Sequence, residues 1–261
     1  MKIPFYQVDA FASNVFEGNP AGVCLLEQWL PDATLQAIAA ENNLSETAYL
    51  VSGSDGYELR WFTPEAEIDL CGHATLACAH VIFENVETDA QQVEFATQSG
   101  LLSVRRGEDA LFLNFPSRSP EPVGDFPELA VALGAKPAQV LKARDLVAVF
   151  DDQSKVESLL PDMALLRQLD AVVIVATAPG KEVDFVSRCF APRFGVPEDP
   201  VTGSAHCSLI PYWANRLGKN SMLARQLSRR GGELICELKP GGIRVSIGGK
   251  AVTYLSGEIK V

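Results

Sequence analysis

Apolar positions along this chain recur with two different periods, and the alternation between them outlines the fold. Residues 34–42 (TLQAIAAEN) carry a helical spacing, and 47–51 (TAYLV) then read as a strand. A second strand, 57–62 (YELRWF), is ended by Thr63-Pro64. Residues 72–84 (GHATLACAHVIFE) predict a helix that is apolar nearly all round, so it should be buried at the centre of a lobe. Three strand-like segments follow, at 91–97, 100–106 and 110–115, separated by Ser-Gly and Gly-Glu-Asp turn signals. Further on, 183–190 reads as strand and 203–217 as helix, with Pro211 predicting a kink and Gly218 a stop. Strands at 223–228, 233–239, 242–247 and 250–260 complete the pattern, with glycine pairs as turns.

These elements belong to an internal repeat. The first copy runs Arg60-Trp-Phe62-Thr-Pro64, then Asp69, then Gly72-His73-Ala74 opening a helix; the second runs Arg188-Cys-Phe190-Ala-Pro192, then Asp199, then Gly203-Ser204-Ala205 opening another. Between them the proline-rich stretch Phe115-Pro-Ser-Arg-Ser-Pro-Glu-Pro places a boundary near 118, dividing the chain into lobes 1–117 and 118–261. A meander with one buried helix per lobe points to an α+β architecture, a largely antiparallel sheet wrapped round a central helix, rather than alternating parallel βαβ units. No G-x-G-x-x-G follows a strand, which sets aside a dinucleotide fold.

Composition narrows the partners. With 261 residues, 47% of them hydrophobic, the chain can bury a sizeable core. A net charge of -11 and the lack of a Lys/Arg block argue against nucleic acid and anionic membranes, leaving small molecules. The N-terminus lacks a signal-like apolar segment and the run Ala171–Ala176 is too short to span a bilayer, so the expected location is cytoplasmic. The six cysteines show no C-x-x-C spacing and are expected to be free, buried thiols. His73, His80 and His206 form no zinc signature, so neither a metal site nor a metal cofactor is expected.

Both repeats set small residues at the start of a central helix, where unpaired N–H groups and the helix dipole favour an anion. Global repulsion from an acidic protein does not prevent this, because it is screened beyond about 8 Å at physiological salt. Upstream, Asn43-Leu-Ser45-Glu46 turns the chain into a strand; a carboxylate at a strand entrance is ordinarily a solvated turn residue, and nothing local singles Glu46 out.

Taken together, these residues resemble the PhzF family, whose namesake is an isomerase of phenazine biosynthesis. The likeness is carried by Val8-Asp-Ala-Phe11 with Gly18-Asn-Pro-Ala-Gly-Val23, Asn43-Leu-Ser-Glu46, Phe62-Thr-Pro64, Asp69-Leu-Cys-Gly-His-Ala-Thr75 and Glu198-Asp-Pro-Val-Thr-Gly-Ser-Ala205. The resemblance implies two similar lobes of the diaminopimelate epimerase kind, a homodimer, and no metal or organic cofactor. It also implies that Glu46 is the acid/base, that His73, Asp199 and Ser204 line the substrate site, and that Gly72 and Gly203 supply backbone contacts. A carboxyl group partly removed from water can take and return a proton near neutral pH. With one base, the expected reaction is a double-bond or tautomeric shift in a small anionic, cyclic carboxylate.

Two other readings stand beside it. An amino-acid epimerase would use a thiol from each lobe; Cys71 occupies the first such position, but the matching residue of the second copy is Thr202, a far weaker base. A non-catalytic binding dimer would not need Glu46, His73, Asp199 and Ser204 together.

Overall fold

The computed structural model describes residues 1–53 and 56–261, and the chain divides into two compact units, Met1–Asn114 with Gly248–Val261, and Phe115–Ile247. The first unit opens with β1 (Lys2–Ala10), β2 (Asn19–Leu26), α1 (Asp32–Asn42), β3 (Glu46–Gly53) and β4 (Gly56–Phe62). It continues through β5 (Glu67–Ile68), α2 (Gly72–Asn85), β6 (Gln92–Thr97), β7 (Gly100–Arg106) and β8 (Leu111–Pro116). Hairpin neighbours β1–β2, β3–β4, β6–β7 and β7–β8 run antiparallel. Two neighbours are parallel: β2–β3, joined through α1, and β4–β6, joined through α2. A parallel neighbour needs a crossover long enough to return the chain to the same end, and each helix supplies one. The sheet is therefore less uniformly antiparallel than the meander pattern predicts.

The second unit holds β9 (Glu121–Pro122), α3 (Pro127–Leu133), β10 (Gln139–Lys142), β11 (Leu146–Val149), α4 (Gln153–Glu157) and α5 (Met163–Gln168). After β12 (Ile174–Pro179) and β13 (Phe185–Ala191) come a 3-10 turn, Pro192–Phe194, and β14 (Val196–Asp199). Then follow α6 (Gly203–Leu217), β15 (Ser221–Gln226), β16 (Gly232–Leu238) and β17 (Arg244–Gly249). Here β13 and β15 are parallel across α6, repeating β4–α2–β6 of the first unit. The final strand, β18 (Ala251–Lys260), pairs antiparallel with β1 from Lys2↔Lys260 to Ala10↔Ala251 and so belongs to the first unit. The units meet at 114/115, and the C-terminal strand, which a division by sequence order assigns to the second lobe, falls in the first unit.

The central helices are buried as their composition requires. In α2, Leu76, Ala77, Cys78, Ala79, Val81, Ile82 and Phe83 are all buried, and the helix lies against β1, β2, β3, β7 and β18. Each large apolar side chain so enclosed contributes roughly 1.5–3 kcal/mol. In α6, Trp213 stacks on Phe185 with ring centroids 5.6 Å apart and donates from Nε1 to Thr177 Oγ1 at 3.0 Å. Pro211 has no N–H to give the carbonyl of Cys207, four residues back; the backbone N–H of Arg118 takes that place at 2.9 Å, and the helix continues to Leu217. Gly218 ends it in the left-handed conformation, φ 68°. All six cysteines are free and buried. Among the described residues, no helix is long and apolar enough to cross a membrane.

Candidate active site

In the first unit, three chain segments converge on His73. Helix α1 ends at Asn43, whose left-handed backbone (φ 50°) turns the chain so that Glu46 becomes the first residue of β3, in register with Ala21 of the parallel β2. Asn19 begins β2 directly after Gly18, which only glycine fits: φ is +62° and a Cβ would lie 2.2 Å from the Ala10 carbonyl oxygen. His73 is the second residue of α2, whose first turn is closed by Thr75 donating both its backbone N–H (3.2 Å) and its hydroxyl (2.5 Å) to the Cys71 carbonyl.

The resulting contacts cluster about one imidazole ring. His73 Nε2 lies 2.9 Å from Glu46 Oε2, with the two side chains only 5% and 13% exposed. Although close, the two atoms are not aligned as a hydrogen bond, and among the described residues neither has another partner. At the other ring nitrogen, Asn19 Nδ2 lies 3.1 Å from His73 Nδ1, and the Cys71 sulfur sits 3.5 Å from the same atom. A proton on Nε2 faces the carboxylate. Glu46 is not the solvated turn residue that its position in the sequence suggests.

Burial alone would lower the pKa of His73, but Cys71 and Glu46 beside it outweigh that and hold the ring well above its ordinary value. The Cys71 thiol is itself pushed up to about 11, by burial and then by Glu46, so it is uncharged near neutral pH. The counter-charge acting on the imidazole is accordingly that of the Glu46 carboxylate.

Glu46, Cys71 and His73 also present an oxygen, a sulfur and a nitrogen within 4.8 Å of one another, a donor set of the kind zinc accepts.

The second unit brings Asp199, Gly203 and Ser204 together at the start of α6. Asp199 is the last residue of β14, and Gly203 and Ser204 are the first two of the helix. Thr202 stands at the N-cap, yet its hydroxyl does not cap the helix; it donates to Asp199 Oδ2 at 2.5 Å. Helix α2, with Cys71 at its N-cap, has no side-chain cap either. Both helices therefore present first-turn N–H groups not taken by a capping side chain, the property that suits them to an anionic group. Behind this segment, Gln226 is fully buried and bonded to both Asp199 and Thr202. Asn19 and Gln226 are the polar residues at these two positions that pattern reasoning does not single out. Asn19 lies within a motif shared with the PhzF family, whereas Gln226 ends an ordinary strand and carries no local signal.

Comparison with known proteins gives the family and the fold. Residues 8–257 match the profile of a family described as phenazine biosynthesis-like protein, PhzC-PhzF. An uncharacterized isomerase of Pseudomonas aeruginosa is 51% identical over 259 residues, covering 99% of each chain. A solved structure of a PhzF-family phenazine biosynthesis protein from Enterococcus faecalis superposes with a TM-score of 0.96 at 49% identity, over the whole of both chains. The fold alone is shared with a hydroxyproline epimerase from Agrobacterium vitis, at a TM-score of 0.65 and 12% identity over 99% of this chain and 92% of that one. The α+β fold is thus that of the PhzF proteins and of the epimerases related to them in structure.

Proposed function

The chain belongs to the phenazine biosynthesis-like (PhzC-PhzF) family, and from that premise we propose that it is a cofactor-independent isomerase in which Glu46 moves a proton within a small, anionic, cyclic carboxylate. The observation that carries this reading is the buried pair formed by Glu46 Oε2 and His73 Nε2, 2.9 Å apart at the start of a central helix. The isomerase class is supported by a relative named as such. The proton shift itself is argued from the pair.

In the proposed reaction the Glu46 carboxylate takes a proton from a ring carbon of the substrate. The electron pair of the broken C–H bond forms a new double bond, the adjacent double bond shifts along the ring, and the carbon at its far end takes the proton back from the Glu46 carboxyl. Nothing is gained or lost overall. His73 Nε2 lends or recovers a proton as charge develops on the rearranging carbonyl or enol, and Asp199 with Ser204 holds an amino or hydroxyl group of the substrate. The N–H groups at the start of α2, at Gly72, and those at the start of α6, at Gly203, are each suited to an anionic group. One base returns the proton to the face it came from, so no centre is inverted. The same reading takes the protein as a cytoplasmic homodimer, on the strength of the family resemblance.

A two-thiol epimerase is the competing reading, and Cys71 beside His73 is the observation that favours it. A thiol pushed up to about 11 is a poor base, and Thr202, its counterpart in the repeat, has its hydroxyl committed to Asp199. The deciding experiment follows deuterium from heavy water into a panel of cyclic carboxylates that includes dihydro-hydroxyanthranilate, comparing wild type with Glu46→Gln. Exchange or isomerisation that disappears in the variant supports the reading. Equal behaviour of the two proteins on compounds that bind sinks it.

A further inference from the structure

We infer that Gln226 is a positioning residue for the substrate site, holding the Asp199–Ser204 segment in the shape that the ligand meets. The inference rests on the reading of Asp199 and Ser204 given above. Gln226 ends β15, is fully buried, and turns both ends of its carboxamide to this segment, with the Cys189 thiol of β13 donating to the same Oε1 at 3.6 Å. Its Oε1 accepts from the Thr202 backbone N–H at 2.8 Å; its Nε2 donates to the Asp199 carbonyl at 2.7 Å and to Thr202 Oγ1 at 3.1 Å. Thr202 Oγ1 then donates onward to Asp199 Oδ2. The backbone of Asp199, the backbone of Thr202 and the Asp199 carboxylate are thus referred to a single side chain that touches the core and not the solvent. Two residues on, Ser228 Oγ donates to the Pro200 carbonyl at 2.8 Å, adding a second tether to the same loop.

The repeat supports a purpose for this arrangement. In the parallel pair β4–β6, Tyr57 faces Phe95; in β13–β15, Phe185 faces Ala224. Counting on from these partners makes Thr97 equivalent to Gln226 and Ser99 equivalent to Ser228. Ser99 Oγ donates to the Asp69 carbonyl at 2.8 Å, so the corresponding loop of the first unit is also tied from beyond the end of the parallel strand. Only the second copy adds the carboxamide, and only there does the tied aspartate share a hydroxyl bond with its helix N-cap. A hydrogen-bonded carboxamide that fixes a loop already bounded by a strand and a helix suits the placing of a ligand-facing group, whose misplacement by about 1 Å can cost a hundredfold.

The test uses Gln226→Met, which keeps length and apolar volume while removing the three bonds to this segment and the one from Cys189, together with Thr202→Val and Thr202→Ser. Amide hydrogen exchange of the peptide spanning 199–207 requires no ligand; Gln226→Met should accelerate it by about tenfold or more while other peptides keep the wild-type rate. Calorimetric titration with anthranilate, a small cyclic amino carboxylate, should show binding weakened by about tenfold to a hundredfold in Gln226→Met and Thr202→Val, and restored in Thr202→Ser. Wild-type exchange and binding in a folded Gln226→Met protein overturns the inference. Faster exchange with unchanged binding overturns it too, since the residue would then serve the fold alone. Should Gln226→Met not fold, the Thr202 pair decides: equal binding by Val and Ser variants counts against the role. If wild type binds neither anthranilate nor any carboxylate of the panel, the functional reading itself has failed and the positioning role falls with it.

Discussion

His73 Nε2 faces Glu46 Oε2 at 2.9 Å without the alignment of a hydrogen bond, and neither atom has another partner among the described residues. Two buried polar atoms kept in contact but unsatisfied cost stability unless something else uses them. Replacing His73 by Asn removes the nitrogen that faces the carboxylate. Proton exchange into a bound carboxylate should then fall by about a hundredfold to ten-thousandfold. Binding of anthranilate, measured in the same preparations, should change far less. Near-normal exchange by His73→Asn would remove the residue from the proton path.

Cys71 separates the single-carboxylate reading from the two-thiol one. Its thiol is uncharged near neutral pH and lies 3.5 Å from His73 Nδ1, not from the Nε2 that meets Glu46. Cys71→Ser should keep exchange activity within about tenfold of wild type, whereas loss of a thiol that served as the acid/base would cost at least about a hundredfold. Steady-state exchange rates of the two proteins decide the matter.

His206 predicts how stability responds to acid. Burial pushes its pKa down to about 4, only partly offset by its bond to the Thr202 carbonyl, where Nδ1 lies at 2.9 Å. The unfolded chain binds this proton near pH 6.5, the folded chain only near 4. Protonation therefore favours unfolding: the stability is fully present above pH 6.5, falls as pH drops toward 4, and levels off below that. The loss amounts to roughly 3 kcal/mol. In His206→Asn, which keeps an N–H donor near Thr202, urea denaturation between these pH values should show this component missing.

Arg188 and Arg60 hold the same clamp in the two repeats. Arg188 grips Glu198 through Nε (2.7 Å) and Nη2 (3.0 Å) while lying over Phe190; Arg60 grips Glu67 at 2.7 Å through both nitrogens while lying over Phe62. Arg188 also donates from Nη1 to the Leu159 carbonyl at 2.9 Å, and its side chain is 13% exposed. A lysine cannot form this fork, so Arg188→Lys should destabilise the protein by about 1–3 kcal/mol. Arg225, paired with Glu182 and Glu233 on the surface, is the control; Arg225→Lys should stay within about 0.5 kcal/mol. Equal losses in the two urea titrations would contradict the argument.

The sequence by itself determined the periodic elements and their duplication. Helices at 72–84 and 203–217, and the strands that flank them, occupy nearly the ranges read from apolar spacing, because a helix buried on all sides and strands bounded by Gly and Pro leave local signatures. The family, too, was legible, since its motifs are contiguous residues. The stretch between the repeats was less so: α3, α4 and α5 span seven residues or fewer each, too short for a periodic signal. Tertiary structure decided the rest. The parallel pairings of β2 with β3 and β4 with β6 depend on where a crossover returns the chain, and the last strand joins the first unit because it pairs along β1. Glu46 and His73 are 27 positions apart in the chain, and Gln226 is 24 from Thr202. Nothing in local spacing links such residues; their contacts exist only once strands and helices have packed, and that packing turned an unremarkable glutamate and a strand-end glutamine into parts of a candidate site.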